Sequence, residues 1–330
     1  IEAVQQNGGQ HQRCVLMIEA CEESGSPDLP FYIDHLTDRL GDVSLVVCLD
    51  SGAGDYDRVW STTSLRGMVA GDLRVEISSE GVHSGDASGI MPSSFRILRL
   101  LLDRIEDSAN GKLLADSMHA EIPGARVAQA RALVDILGDE IRTAYPLLEG
   151  VEAMDTDLAE LILNRTWRPT LSVTGSGGMP PLADAGNVLR PFTALKLSFR
   201  LPPTVDNKVA KKQICEIFET NPPYGAKVSF HAEKGANGWD APELAPWLED
   251  SVALGSREFF DAEPAYMGEG GSIPFMGLLG DKYPKAQFLI TGVLGPGANA
   301  HGPNEFLHIP MVKRLTSCVS VVLDAHARRA

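Results

Sequence analysis

The sequence is poor in positive charge: 29 Lys and Arg stand against 44 Asp and Glu, a formal net charge of -15 at pH 7. Nucleic acids and anionic membranes both bind basic faces, so neither is expected as a partner. Cysteine is sparse as well. Cys14, Cys21, Cys48, Cys215 and Cys318 are odd in number and show no C-x-x-C spacing, which speaks against a disulfide framework or a structural zinc knot and for a reducing, cytoplasmic setting. No apolar run approaches the ~20 residues of a membrane span, and no charged start followed by an apolar stretch marks a signal peptide. Several catalytic signatures are missing: there is no G-x-S-x-G elbow, no H-E-x-x-H, no Walker A and no G-x-G-x-x-G after a strand. Cys21, the one thiol outside an apolar stretch, precedes two glutamates, a poor setting for a nucleophilic thiolate.

What is present suffices for a large core: 330 residues, 44% of them hydrophobic, fit one large domain or two ordinary ones, and two are expected. "RCVLMIEAC" (13–21) and "VSLVVCLD" (43–50) are nearly continuous apolar runs of the kind that form strands covered on both faces of a parallel sheet. "LPFYIDHLTDRL" between them has helical spacing. A second such unit closes the chain, with a helix at "SVALGSREFF", a strand at "KAQFLITGV" and a long amphipathic helix from about Pro310. The middle alternates instead: "GMVAGDLRVEISS", "PTLSVTG", "ALKLSFRLPP" and "AKVSFHAE" read as half-buried antiparallel strands, with helices near 92–107, 125–145 and 206–219. The expected architecture is α/β: a mostly parallel-sheet catalytic domain in two parts, 1–63 and 241–330, interrupted by an inserted α+β lid over 64–240. The chain opens without a methionine and runs within a dozen residues into a strand whose sheet neighbours are expected upstream, so an internal fragment is expected.

Glu22 and Glu23 follow the first strand, Asp50 ends the next, and His301 follows "FLITGV" in a Gly-rich loop. All four fall beyond carboxyl ends of strands, where open α/β sheets build their sites. Carboxylate oxygens and imidazole nitrogen suit zinc and similar divalent ions. Successive side chains of an extended turn point in different directions, so one glutamate of the pair can bind metal while the other takes a proton.

Six motifs in order, "EACEESGS", "VCLDSG", "GVHSGDASG", "SFRLPP", "GEGGSIP" and "NAHGPNE", resemble the M20 metallopeptidases, most closely their carnosinase-like dipeptidase branch, from about residue 10 to the C-terminus. The resemblance implies Glu22 as general base, with Glu23 and His301 on one metal and Asp50 on the other. It implies two divalent ions in the intact protein, zinc or manganese, and a small peptide as substrate. It also implies a homodimer through the lid, across which His83 reaches the partner's site to stabilise the oxyanion. Arg200 would clamp the substrate's C-terminal carboxylate, a task suited to a planar guanidinium. Ser272 would touch the same carboxylate, unless it merely caps the following helix. Asn187 would approach the substrate carbonyl. The family's H-x-D histidine and bridging aspartate have no counterpart here, and His11, the one earlier histidine, falls in a connection. The resemblance therefore implies a member without its N-terminal segment, inactive and poor at holding metal as it stands. Deacylases, desuccinylases and carboxypeptidases share the pattern; a non-catalytic peptide-binding scaffold is the alternative of another class.

Overall fold

The computed structural model describes residues 1–329 and is an α/β protein in two packed parts, with one hydrophobic cluster in the first and two in the second. The first is built on an antiparallel sheet of four strands in the order Lys227–Ala236, Gly67–Glu76, Phe192–Leu201 and Thr170–Gly177. Strict alternation turns every second residue of Gly67–Glu76 and of Phe192–Leu201 inward, as a period of two requires. Helices Ser94–Leu102 and Asn207–Glu219 cover that face, so Leu73, Leu197 and Phe199 pack with Ile97, Leu101, Ile214 and Phe218, all fully buried. Ser93 and Asp206 start these helices by accepting backbone N–H bonds, Ser93 from Arg96 and Asp206 from Lys208 and Val209.

The α/β part holds two small sheets. Leu45–Cys48 pairs parallel with Gln287–Ile290, while Trp60–Leu65 lies between parallel Ala265–Glu269 and antiparallel Trp239–Asp240. Helices Pro246–Phe260 and Ile309–Arg328 pack against them through Leu248, Val252, Met311, Leu315 and Val322 around the wholly buried Trp60. Helices Gly124–Leu137 and Leu158–Thr166 fall inside the 64–240 block in sequence, yet Ala130, Leu133, Ile162 and Leu163 enter this second core. Among the described residues no helix is long and apolar enough to cross a membrane.

One expected strand does not form. Residues 13–19 adopt no regular structure, and Leu16 and Ile18 are each 85% exposed. A strand exists through its ladder, and an apolar run that meets no neighbouring edge stays an open segment. The expected helix after it is likewise broken into Leu29–His35 and Thr37–Leu40.

The two parts are joined by adjacent crossings. Arg66 alone separates strand Trp60–Leu65 from strand Gly67–Glu76, and the return passes through Asn237 and Gly238. A Cβ on Gly67 would lie 2.8 Å from the Gly238 nitrogen, and one on Gly238 would lie 2.6 Å from the Leu65 carbonyl oxygen, so glycine at both positions lets the backbones touch.

Candidate functional site

The double glutamate sits in a single turn of 3-10 helix, Glu22–Ser24, closed by Gly25 N–H donating to the Glu22 carbonyl (2.7 Å) and Ser26 N–H to that of Cys21 (3.0 Å). Gly25 takes φ 85°, the left-handed region that glycine enters at little cost. Asp50 lies two residues beyond strand Leu45–Cys48. His301, at φ 58°, stands in the loop beyond strand Gln287–Ile290 and donates its backbone N–H to Glu305 Oε2 (3.3 Å). Its Nε2 comes within 3.8 Å of Glu23 Oε2.

Five acids meet here. Burial, and then Asp50, Glu23 and Glu19, push the Glu22 carboxyl above its ordinary value, while His301 opposes them. Burial, and then Glu23, Glu269 and Glu19, do the same for Asp50, again against His301. Two of these acids went unassigned in the sequence. Glu269 ends a parallel strand just as Asp50 follows one, and its Oε1 accepts from Ser51 Oγ (2.6 Å), Gly52 N–H (2.8 Å) and Thr62 Oγ1 (3.0 Å), which fixes the carboxylate in place. The strand-end rule that singled out Asp50 applies to it equally. Glu19 accepts from Cys21 N–H through Oε1, while its Oε2 is buried without a partner. An acid within an apolar run was the available signal.

A cluster of carboxylates in which burial first and neighbouring acids second raise Glu22 and Asp50, and in which Glu19 keeps an orphaned buried oxygen, suits a cation. Glu23 and His301 face each other at a separation near that of two ligands on one ion. Among the described residues, however, no group of three or more His, Cys, Asp or Glu side chains gathers closely enough to hold a metal ion. The donor types suit a divalent metal, and Glu23 and His301 are the closest pair among them given by the ion-pair geometry.

The remaining candidates form two further groups. His83 pairs with Val188 across a short ladder, Ser84 N–H donates to the Asn187 carbonyl (2.9 Å), and His83 and Asn187 therefore stand together on the lid. The imidazole is exposed, with Asp86 3.9 Å away. Arg200 is held in mid-sheet opposite Met68 and Thr170, and its Nη1 donates to Ser272 Oγ (3.4 Å). Ser272 in turn donates to the Arg66 carbonyl, and the helix after it begins at Pro274 without a side-chain cap. Helix capping is thereby excluded as the role of Ser272.

Residues 63–226 match the M20 family's peptidase dimerisation domain. The chain is 25% identical over 316 residues to a cysteinylglycine-S-conjugate dipeptidase of Corynebacterium striatum, covering 92% of this chain and 65% of that protein. Its fold superposes on the dipeptidase Dug1p of Saccharomyces cerevisiae with a TM-score of 0.73 at 22% identity, covering 94% of this chain and 65% of that one. Human carnosine dipeptidase 1 gives a TM-score of 0.72 at 18% identity with the same two coverages. The chain thus spans about two thirds of the length of each of these relatives.

Proposed function

We propose that the chain, whose residues 63–226 match the M20 family's peptidase dimerisation domain, is a member of that family and serves metal-dependent hydrolysis of dipeptides, with the acid cluster around Glu22 as the catalytic centre. The observation that carries this reading is the Glu23–His301 pair at 3.8 Å set beside Glu22 and Asp50, with Asp50 and His301 beyond the ends of paired strands of the α/β part. Glu23, His301 and Asp50 would hold the divalent metal, zinc or manganese. Bound there, such an ion lowers the pKa of its water and polarises the peptide carbonyl.

The chain's own side chains do the rest. Glu22, whose carboxyl burial and neighbouring acids already raise, takes the proton of the attacking water and returns it to the leaving amine. Arg200 and Ser272 bind the substrate's terminal carboxylate, which positions the scissile bond. His83, exposed on the lid with Asn187 beside it, is available to a second copy of the chain, where a ring N–H would donate to the oxyanion. The five free thiols agree with a reducing compartment such as the cytoplasm.

The test is a panel of dipeptides set against N-acyl amino acids, run on the protein containing this chain and on its Glu22→Gln variant, with metal content measured on both. Dipeptide turnover that falls by about a hundredfold to ten-thousandfold in the variant at unchanged metal content is expected. Faster release of acyl groups would assign the site to a deacylase, which uses the same carboxylate clamp. Full activity in the variant would remove Glu22 from the general-base role.

A further inference from the structure

Three arginines meet where the lid joins the α/β part, and each donates only to neutral oxygens among the described residues. Arg66 is 8% exposed. Its Nε donates to the Gly270 carbonyl (3.2 Å) and its Nη1 to the carbonyls of Asn164 (3.4 Å) and Arg168 (3.3 Å) and to Thr170 Oγ1 (3.1 Å). Arg165 Nη1 donates to the Tyr145 hydroxyl (3.1 Å), and Arg200 Nη1 to Ser272 Oγ (3.4 Å).

The same contacts tie the three into one patch. Thr170, whose hydroxyl receives Arg66, lies directly opposite Arg200 in the sheet. Ser272 bridges the Arg200 guanidinium and the Arg66 carbonyl. A Cβ on Gly270 would stand 3.1 Å from the Arg165 carbonyl oxygen, 3.2 Å from Arg165 Cγ and 3.2 Å from Arg66 Nη2, so glycine at 270 lets those two arginines pack close to the same backbone. Burial first, then repulsion from Arg200 and Arg165, pushes the Arg66 guanidinium down to about 10, and among the described residues Tyr145, not a carboxylate, opposes the shift. Burial alone lowers Arg200. Gathering unpaired guanidinium groups around partly buried space is costly unless an anion joins them. One carboxylate answers one of the three.

We propose that Arg66, Arg165 and Arg200, with Ser272, recognise peptides whose C-terminal residue is aspartate or glutamate. The α-carboxylate takes Arg200 and Ser272, and the side-chain carboxylate takes Arg165 over Gly270, beside Arg66. This rests on the reading of Arg200 and Ser272 as the terminal-carboxylate clamp. Planar guanidinium forks suit both groups.

The experiment is calorimetric titration of the chain with N-acetyl-L-glutamate and with its neutral isostere N-acetyl-L-glutamine at low ionic strength. It is repeated on Arg165→Gln, Arg165→Lys and Arg200→Gln. The glutamate ligand is expected to bind about tenfold more tightly, the yield of one charge-assisted hydrogen bond. Arg165→Gln should erase that preference, Arg165→Lys should keep part of it, and Arg200→Gln should weaken both ligands. Equal affinities that both depend on Arg200 would overturn the second carboxylate site and leave the clamp standing. A preference that survives Arg165→Gln would also overturn the site. Binding of neither ligand, or binding indifferent to Arg200→Gln, would overturn the clamp and the proposal with it.

Discussion

Gly292 shows how tightly single residues set the ends of the strands that carry the acids. A Cβ there would lie 1.8 Å from the Ser51 carbonyl oxygen and 2.6 Å from the Ser51 nitrogen, just beyond the bond from Thr291 N–H to the Cys48 carbonyl. Both partners are backbone, which cannot turn aside as a side chain can. Gly292→Ala is therefore expected to destabilise the protein by about 2–3 kcal/mol, the upper range for overpacking, as read by urea denaturation. It should also displace Asp50 and the Ser51 hydroxyl that donates to Glu269. At this scale the sequence was a good guide to position for Asp50 and His301, which do lie beyond strand ends, whereas Glu22 and Glu23 follow a segment that forms no strand. Glu269 obeys the same rule and was passed over, because its strand, Ala265–Glu269, is short and opens directly into glycines. Arg66 was invisible, since only the fold reveals that its guanidinium meets carbonyls from a helix end about a hundred residues away.

Elements follow their local patterns where a neighbouring edge or face is at hand. The alternating runs of the lid became its four-stranded sheet, and 206–219 became helix Asn207–Glu219, because each buried stripe met a partner within the same block. The run at 13–21 has the composition of a strand but no ladder, a property of its surroundings that the residues themselves do not carry. Its amides are expected to exchange with solvent as fast as those of an unstructured peptide, while Val69 and Leu197 in the lid sheet stay protected; hydrogen exchange of this chain checks both. The nearby turn at Gln10 is pinned differently. Its N–H donates to Asp324 Oδ1 (2.7 Å), and that bond first, then Arg328, holds the Asp324 carboxyl below its ordinary value. A depressed carboxylate contributes stability that is present above the unfolded value and lost as pH falls through the folded one. Protection of the Gln10 amide should accordingly disappear in acid below the usual Asp range, and at neutral pH it should weaken in Asp324→Asn.

For the molecule as a whole, the lid sheet ends in two outer strands. The two outer strands differ in what guards them. Lys227–Ala236 carries Lys227, Glu233 and Lys234, and such charges discourage edge-to-edge pairing. Thr170–Gly177 carries no charge at all and exposes Val173 at 52%. An uncharged outer strand with an exposed valine is a template for pairing, and it lies within the segment that matches a peptidase dimerisation domain. The chain is therefore expected to form a homodimer through Thr170–Gly177, which would also bring His83 to the site of a second copy. Light scattering should give twice the chain mass for the native protein. Val173→Lys, which places a charge on the bare edge without entering either core, should raise the dissociation constant at least about tenfold while leaving the circular dichroism unchanged. A native protein that stays monomeric at high concentration would remove the lid edge as the interface. A Val173→Lys variant as dimeric as the native would move the contact to another face of the lid, and with it the route by which His83 could act on a neighbouring subunit.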